Sequence, residues 1–337
     1  MPGDSPYYGD PVKFMTDAKV VLAPMAGITD AAFRVTARMN GARFAFTEMI
    51  DANGMFYKNI KTYEMLDHPP EDWPLGVQIA GFEERHIIYA AQKCEERGYK
   101  MLDFNAACPV PKVVKTGKGA AFLRDVDRFA SVMAKLVRAV SIPVTVKIRA
   151  GWDSDSLNYL EIARAAEGAG AKAVFIHART KTAMYKGKPD HALTRNLKEA
   201  VGIPVFASGN IFSAGDAVSV LKDTGCDGVL IARGSLGNPW IFREFYDTLE
   251  GRPVQPVGFS AVKAALREHF ELALRYVDEK RVFPRMYKHV AWYLKRYGNM
   301  RSTMKEYLNA RDMDKFRAFM DRLEIDEDNR LYLKEGA

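Results

Sequence analysis

Residues 144–149 read VTVKIR. Val144, Val146 and Ile148 fall on one side of an extended chain, and Thr145, Lys147 and Arg149 on the other, the two-residue alternation of a β-strand. Proline precedes the run at Pro143, and glycine follows it at Gly151, as turn residues usually bound strands. Runs of this kind recur outward in both directions: Lys19–Met25, Phe44–Ile50, Leu75–Ala80 and Met101–Asn105 before it, Ala173–Arg179, Val205–Asn210 and Gly228–Arg233 after it. Stretches with apolar residues at helical spacing separate most of them, namely Glu83–Arg97, Asp127–Val140, Ser156–Glu167 and Ala214–Lys222. Eight strand–helix units in about 240 residues predict an α/β fold, a (β/α)8 TIM barrel. A doubly wound sheet is the alternative, weakened by the lack of any G-x-G-x-x-G turn after a strand.

Beyond Gly251 the pattern changes. Arg252–Gly258 carries two prolines and reads as a linker, and from Phe259 onward only helical patterns remain. The expected organisation is a catalytic barrel over residues 1–250 and a small C-terminal α-helical bundle over 258–337. The 337 residues are 48% hydrophobic and 27% charged, which excludes a mostly disordered or fibrous chain. No window approaches the roughly 18 apolar residues of a membrane span. The first residues, MPGDSPYYGDPVKFMTD, lack the apolar core of a secretory signal, and three cysteines are too few for a disulfide framework. A reducing cytoplasm is the expected location, with no membrane, metal or obligate protein partner. The net charge of +7 makes a polyanionic partner worth seeking.

In barrels the chemistry sits at the C-terminal ends of the strands. Parity along four successive strands puts Gln78, Asn105, Lys147 and His177 at similar heights, pointing inward, where Val, Ile and Leu are usual. Each alone reads as part of a hydrogen-bonded plug. Together they suit a flat polar ligand such as a flavin, the lysine stabilising negative charge on the reduced ring. The loops after the seventh and eighth strands read ASGNIFS and IARGSLGNPW. Gly209 and Gly234 let backbone N–H groups approach an anion, Arg233 adds a bidentate charge, and Ser213 is a helix N-cap. One phosphate at this place suits FMN better than a dinucleotide.

Cys94 lies in a helical pattern and Cys226 in a turn, and structural roles suffice for both. Cys108 directly follows the fourth strand, in a long loop with Lys112, Lys115, Lys118 and Arg124 and no acid before Asp125. A free thiol, mostly protonated at pH 7, can donate a proton; nearby lysines would oppose that by lowering its pKa. A nucleophile or a small buried hydrophobe are the other readings. In the C-terminal region, Lys280, Arg281, Arg285, Lys288, Lys295, Arg296, Arg301 and Lys305 fall in a span without Asp or Glu. On a helix, Arg285, Lys288, Trp292, Lys295 and Arg296 favour one side, while Met286, Val290, Tyr293 and Tyr297 form a core face. A basic stripe beside an aromatic fits phosphate contact plus base stacking; a solvated face is the alternative. The acidic stretch Asp321–Asp328 reads as a solvated helix end.

APMAGITDAAFR, TEMI, GVQIAG, DFNAACPVPKV, VTVKIRAGW, HARTKTAMYKGKPD, ASGNI and IARGSLGNPWIF, in this order and joined to PRMYKHVAWYLKRYGNM, resemble the bacterial-type tRNA-dihydrouridine synthases over nearly the whole chain. The Asn-x-x-Cys-Pro and His-x-Arg-Thr elements together make the likeness specific. It implies NADPH-dependent reduction of the C5=C6 bond of particular tRNA uridines through FMN, with hydride delivered to C6 and Cys108 protonating C5 from the opposite face. It implies that Pro24, Met25 and Ala26 lie against the flavin, and that Gln78, Lys147 and His177 hold its ring. Gly209, Asn210, Arg233 and Gly234 would hold its phosphate, and Asn105 and Arg179 would touch the uracil. Lys112, Arg285, Lys288, Trp292 and Arg296 would face the tRNA. One departure stands out: Ala107 occupies a position where the family usually has Gly, so the cysteine loop is expected to sit slightly differently. Two other functions use some of these residues: an FMN-dependent reductase or dehydrogenase of a small pyrimidine or enone, and a non-enzymatic RNA-binding protein.

Overall fold

A computed structural model describes residues 9–334. Eight parallel strands close into a barrel in sequence order: β1 (Val20–Leu22), β2 (Phe44–Asp51), β3 (Leu75–Ala80), β4 (Leu102–Asn105), β5 (Val144–Arg149), β6 (Val174–His177), β7 (Val205–Ser208) and β8 (Gly228–Ile231). β8 pairs back onto β1 through Val20–Val229 and Leu22–Ile231, so no edge is left open. Helices such as Glu84–Glu96, Val126–Ala139, Tyr159–Gly168 and Ala214–Thr224 follow their strands. Ser213 caps the last of these with a reciprocal bond pair to Asp216. Of the N-terminal segment, residues 1–8 lie outside the described residues, and Pro11–Ala18 forms a helix.

Phenylalanines rather than branched aliphatics fill the lower barrel. Phe44, Phe46, Phe175 and Phe206 form one apolar cluster with Val21, Met101 and Leu230, and Met15 from the N-terminal helix joins it. Ring centroids lie 5.4 Å apart for Phe46–Phe175 and 5.0 Å for Phe175–Phe206. Each such ring stabilises the fold by roughly 1.5–3 kcal/mol on burial. Two strand glycines make the room: a Cβ on Gly76 or Gly228 would lie 2.4 Å from the ring of Phe46 or Phe206 respectively.

The chain divides into two compact units, one comprising Met1–Asp30 and Ala42–Gly234, the other Ala31–Gly41 and Ser235–Ala337. The division therefore falls at 234/235 rather than at the proline-bearing stretch 252–258. The helix Ala31–Met39, which follows β1 in the chain, groups with the later helices because its buried face packs there; Phe33 lies 5.7 Å from His269 and 5.6 Å from His289, ring to ring.

The second unit contains helices Ile241–Leu249, Phe259–Tyr276, Glu279–Leu294, Met300–Tyr307 and Met313–Arg322 around a core of Leu266, Phe270, Val290, Phe316 and Met320. It is not wholly helical, contrary to expectation. β9 (Leu323–Ile325) pairs antiparallel with β10 (Leu331–Leu333). Asp321 and Arg322 do end a helix, but the rest of the acidic stretch does not: Asp326 Oδ1 accepts the N–H groups of Asp328 and Arg330 and builds the hairpin turn. No helix among the described residues is long and apolar enough to cross a membrane.

Candidate active site

Above the phenylalanines the barrel interior turns polar. Gln78 pairs in register with Asp103, Asn105 with Lys147, and Arg149 with His177. Strands in a closed barrel are staggered, so a level rises by two residues between alternate strands. Gln78 of β3 therefore shares a layer with Lys147 of β5, and Asn105 of β4 with His177 of β6, as parity predicts.

These residues are joined by hydrogen bonds. Gln78 Nε2 and Thr145 Oγ1 donate to Asp103 at 2.7 and 2.8 Å, and Asn105 Nδ2 donates to Gln78 Oε1 at 2.8 Å. Asn105 Oδ1 accepts the backbone N–H groups of Ala107 (3.1 Å) and Cys108 (2.9 Å). Asn105 is buried, and both ends of its amide are engaged, fixing the cysteine loop. Burial pushes Asp103 up to about 6, against the opposing hydrogen bonds and Lys147. Lys147 Nζ donates to Ser208 Oγ at 3.1 Å; burial, then the Arg149 charge, brings it down to about 8. His177 is held well below its ordinary value by burial and by Lys147, Arg149, Arg179 and Arg233, so its ring is neutral at pH 7.

Cys108 sits half-buried at the lip, just beyond β4. Burial raises its thiol pKa; the Val110 N–H, Arg149 and Lys147 pull the other way with less effect. Gly119 closes against it: with φ +60°, its missing Cβ would lie 2.7 Å from the Cys108 carbonyl oxygen and 2.9 Å from Cys108 Cβ. Ala107 is not among the residues with positive φ, so the alanine is accommodated without backbone strain.

At the β6–β8 side, two guanidiniums converge. Arg179 Nη2 and Arg233 Nη2 both donate to Asn210 Oδ1, at 2.9 and 3.2 Å. Arg179 also touches His177 Nε2 at 3.2 Å. Burial and the Arg233 charge lower its pKa. Asn210 (φ +50°) and Gly209 (φ +122°) turn the backbone beneath them. Two like charges sharing one neutral oxygen form a ready anion cradle. Arg179, expected at the uracil, stands beside Asn210 and Arg233, the residues expected at a phosphate. Pro24 and Met25 are half-buried and Ala26 exposed in the turn after β1, where Met25 N–H donates to Thr29 Oγ1 at 2.9 Å. Gly234 is buried in the short turn after β8. Lys112 is exposed on the short helix Pro111–Val114. No cluster of metal-ligating side chains occurs among the described residues.

Sequence reading passed over Asp103, Ser208 and, above all, Arg149. The Arg149 guanidinium donates to Ala107 O (2.9 Å), Thr180 O (2.8 Å) and Met184 O (2.8 Å). Its parity with Lys147 was the available signal.

Lys147 carries a prediction of its own. Its folded pKa of about 8 lies below the unfolded 10.5, so between these values the unfolded chain holds the extra proton. Stability of the flavin-free protein should therefore rise with pH across that window, and Lys147→Met should abolish the rise. Melting temperatures from pH 7 to 10 check this; an unchanged slope in the variant would remove Lys147 as its source.

In the second unit, the helix Glu279–Leu294 buries Met286, Val290 and Tyr293 and exposes Arg285. Tyr297 is partly buried. Lys288 Nζ stands 6.0 Å over the half-buried Trp292 ring. Arg296 is exposed, with its guanidinium 5.8 Å over Trp240. Arg285, Lys288 and Trp292 thus lie on one helix, and Arg296, just past its end, is partly committed to its own unit.

The structure thus brings together a polar barrel mouth, a half-buried cysteine at its lip and two guanidiniums converging on Asn210 beyond β6–β8. A family model described as dihydrouridine synthase (Dus) matches residues 21–325. The chain belongs to the dihydrouridine synthase family, flavin-dependent oxidoreductases acting on the uridine C=C bond. It is 39% identical over 300 residues to tRNA-dihydrouridine synthase B of Pseudomonas aeruginosa, covering 88% of this chain and 90% of that one. It is 39% identical over 278 residues to the Xanthomonas campestris protein of the same name, covering 82% and 84%, and 38% over 296 residues to that of Vibrio vulnificus, covering 87% and 91%.

Proposed function

We propose that this protein reduces the C5=C6 bond of uridines in tRNA, with FMN as resident cofactor, NADPH as reductant and Cys108 as proton donor. The observation that carries this reading is the half-buried Cys108, held by Asn105 at the lip of a mouth lined by Gln78, Lys147 and His177. The donor set fits FMN: an ammonium, an amide and a neutral imidazole suit the ring's polar edges. The paired guanidiniums on Asn210, with Gly209 and Gly234 beside them, suit a single phosphate. Pro24, Met25 and Ala26 offer the ring a surface at the turn after β1.

When bound, the flavin supplies the hydride for uracil C6, and NADPH restores it. Lys147, with a pKa near 8, is largely protonated at neutral pH and offsets negative charge on the ring. Cys108 gives its proton to C5, and the thiolate is reprotonated from solvent between turnovers. Asn105 holds the Cys108 backbone for that transfer. Arg179 serves the phosphate side together with Arg233. On the 258–337 region, Arg285, Lys288 and Trp292 offer phosphate contacts and a stacking face to the tRNA, with Lys112 and Arg296 as further cations.

Absorption spectra of the purified protein test the reading. Flavin bands should bleach with NADPH and return when unmodified tRNA is added without oxygen. Bleaching with no return would favour a small-molecule reductase, and no flavin after reconstitution would remove the cofactor assignment. Separately, the double variant Arg285→Glu, Lys288→Glu should weaken tRNA binding at least tenfold at about 0.1 M salt and flatten the salt dependence of affinity. Anisotropy titrations at several salt concentrations check it; an unchanged slope would take that helix face away from RNA.

A further inference from the structure

The loop after β6 holds one side chain outward at unusual structural cost. Tyr185 is 50% exposed, yet the carbonyls on either side of it are gripped by two buried arginines. Arg149 donates to Met184 O at 2.8 Å; Arg179 donates to Lys186 O at 3.1 Å and Gly187 O at 2.6 Å. Met184, immediately before the tyrosine, takes a left-handed backbone at φ +49°, a conformation few non-glycine residues adopt. The ring lies at the barrel's mouth, with the Arg149 guanidinium 5.7 Å and the Arg233 guanidinium 5.3 Å from its centroid and the His177 ring centroid at 6.4 Å. Arg233 lies at 5.1 Å from a second outward ring, Phe212, which is 48% exposed. Exposed rings are common on protein surfaces, so the setting of Tyr185 matters more than its exposure. This one keeps half its surface in water while the backbone around it is fixed. The loop 180–189, TKTAMYKGKP, carries Lys181, Lys186 and Lys188 and no acid, so its surroundings suit a phosphate chain.

We propose that Tyr185 is a stacking platform for a nucleobase of the RNA substrate, the base beside the uridine that enters the barrel, with Phe212 extending the rim. The proposal rests on the functional reading above. A uridine that leaves its stack exposes the face of its neighbour, and unstacking costs free energy that an aromatic surface offsets. Every base has a π-face, so such a platform tolerates sequence. The three lysines of the loop attract the flanking phosphates.

The test uses the full-length, flavin-loaded protein and three variants: Tyr185→Ala, Tyr185→Leu, which keeps apolar bulk without a π-face, and Tyr185→Phe. Flavin content, the rate of bleaching by NADPH, and the rate of return with unmodified tRNA are measured for each. At limiting tRNA, the Ala and Leu variants should return about tenfold more slowly, the loss of one base–aromatic stack, with the deficit shrinking as tRNA saturates. Flavin content and bleaching should stay within about twofold of wild type, and Tyr185→Phe should recover most of the rate. Unchanged return in the Ala and Leu variants would overturn the platform. So would an equal slowing of bleaching, which would assign the ring to the nicotinamide instead, or loss of flavin, which would assign it to the cofactor. Wild-type protein whose bands bleach but do not return with tRNA would overturn the functional reading, and this proposal with it.

Discussion

Replacing Cys108 with alanine should leave flavin content and NADPH-driven bleaching intact while slowing the return on tRNA by roughly 10²–10⁴-fold, the range of a positioned general acid. The basis is the thiol's protonation state. Burial lifts its pKa above the ordinary 9.0, and the Val110 N–H, Arg149 and Lys147 only partly oppose that. The proton is therefore present throughout neutral pH. The sign fixes the pH profile: the proton-donating form is lost as pH rises through the folded value, so wild-type uridine reduction falls on an alkaline limb above the ordinary thiol pKa. The alanine variant should lack that limb along with most of the rate, keeping only the fall near pH 8 that comes from Lys147. Single-turnover return of the flavin bands at pH 6 to 10 measures both. Equal turnover by the variant would end the proton-donor assignment; a retained alkaline limb would assign it to another group.

The barrel was legible because its signal is local. Each strand announces itself by alternation between turn residues, and the closed sheet follows from the count of units. Parity also brought Gln78, Asn105, Lys147 and His177 together, since alternate strands feed common layers in a staggered barrel. What stayed hidden has non-local causes. Parity says that Arg149 shares a face with Lys147, but its partners are three backbone carbonyls, and carbonyls carry no sequence signature. Asp103 shares a face with Asn105 by the same rule, but its hydrogen bonds to Gln78 and Thr145 appear only when three strands lie in register. Arg179 was expected by resemblance at the uracil, and its bond to Asn210 joins loops 31 residues apart, so spacing gave no sign of it. The hairpin at 323–333 was masked by its own turn: LEIDEDNRLYL has the alternation of two short strands, but its acids read as a solvated helix end. The grouping of one early helix with the later ones was hidden for a related reason. Proline content marks a flexible stretch at 252–258, whereas compactness depends on which faces pack, and the buried face of Ala31–Met39 packs with the later helices.

Arg149 is where the two sides of the candidate site depend on one side chain, and Arg149→Met should be the most damaging single change away from Cys108. The guanidinium is 2% exposed and is surrounded by carbonyls, one from the loop that carries Cys108 and two from the loop that presents Tyr185. Burial lowers its pKa only to about 10, so it is charged at neutral pH. Methionine fills similar space but leaves three acceptors without their donor, at a cost on the order of 1–3 kcal/mol each if none is rehydrated. A loss of several kcal/mol lowers Tm by on the order of 10 °C for a unit of this size. Chemistry suffers separately, because neither loop is then held, and uridine reduction should fall by at least about 10²-fold, the cost of misplacing a reacting group. The Arg149 charge also pulls the Cys108 thiol down, so its removal should raise the midpoint of the pH dependence of Cys108 alkylation. Arg149→Lys, which keeps the charge without the fork, should restore much of that midpoint but little of the activity. Thermal melts, alkylation rates from pH 7 to 10 and flavin return on tRNA separate these effects. A methionine variant with wild-type stability and an unshifted alkylation midpoint would show that the two loops hold their shape without it.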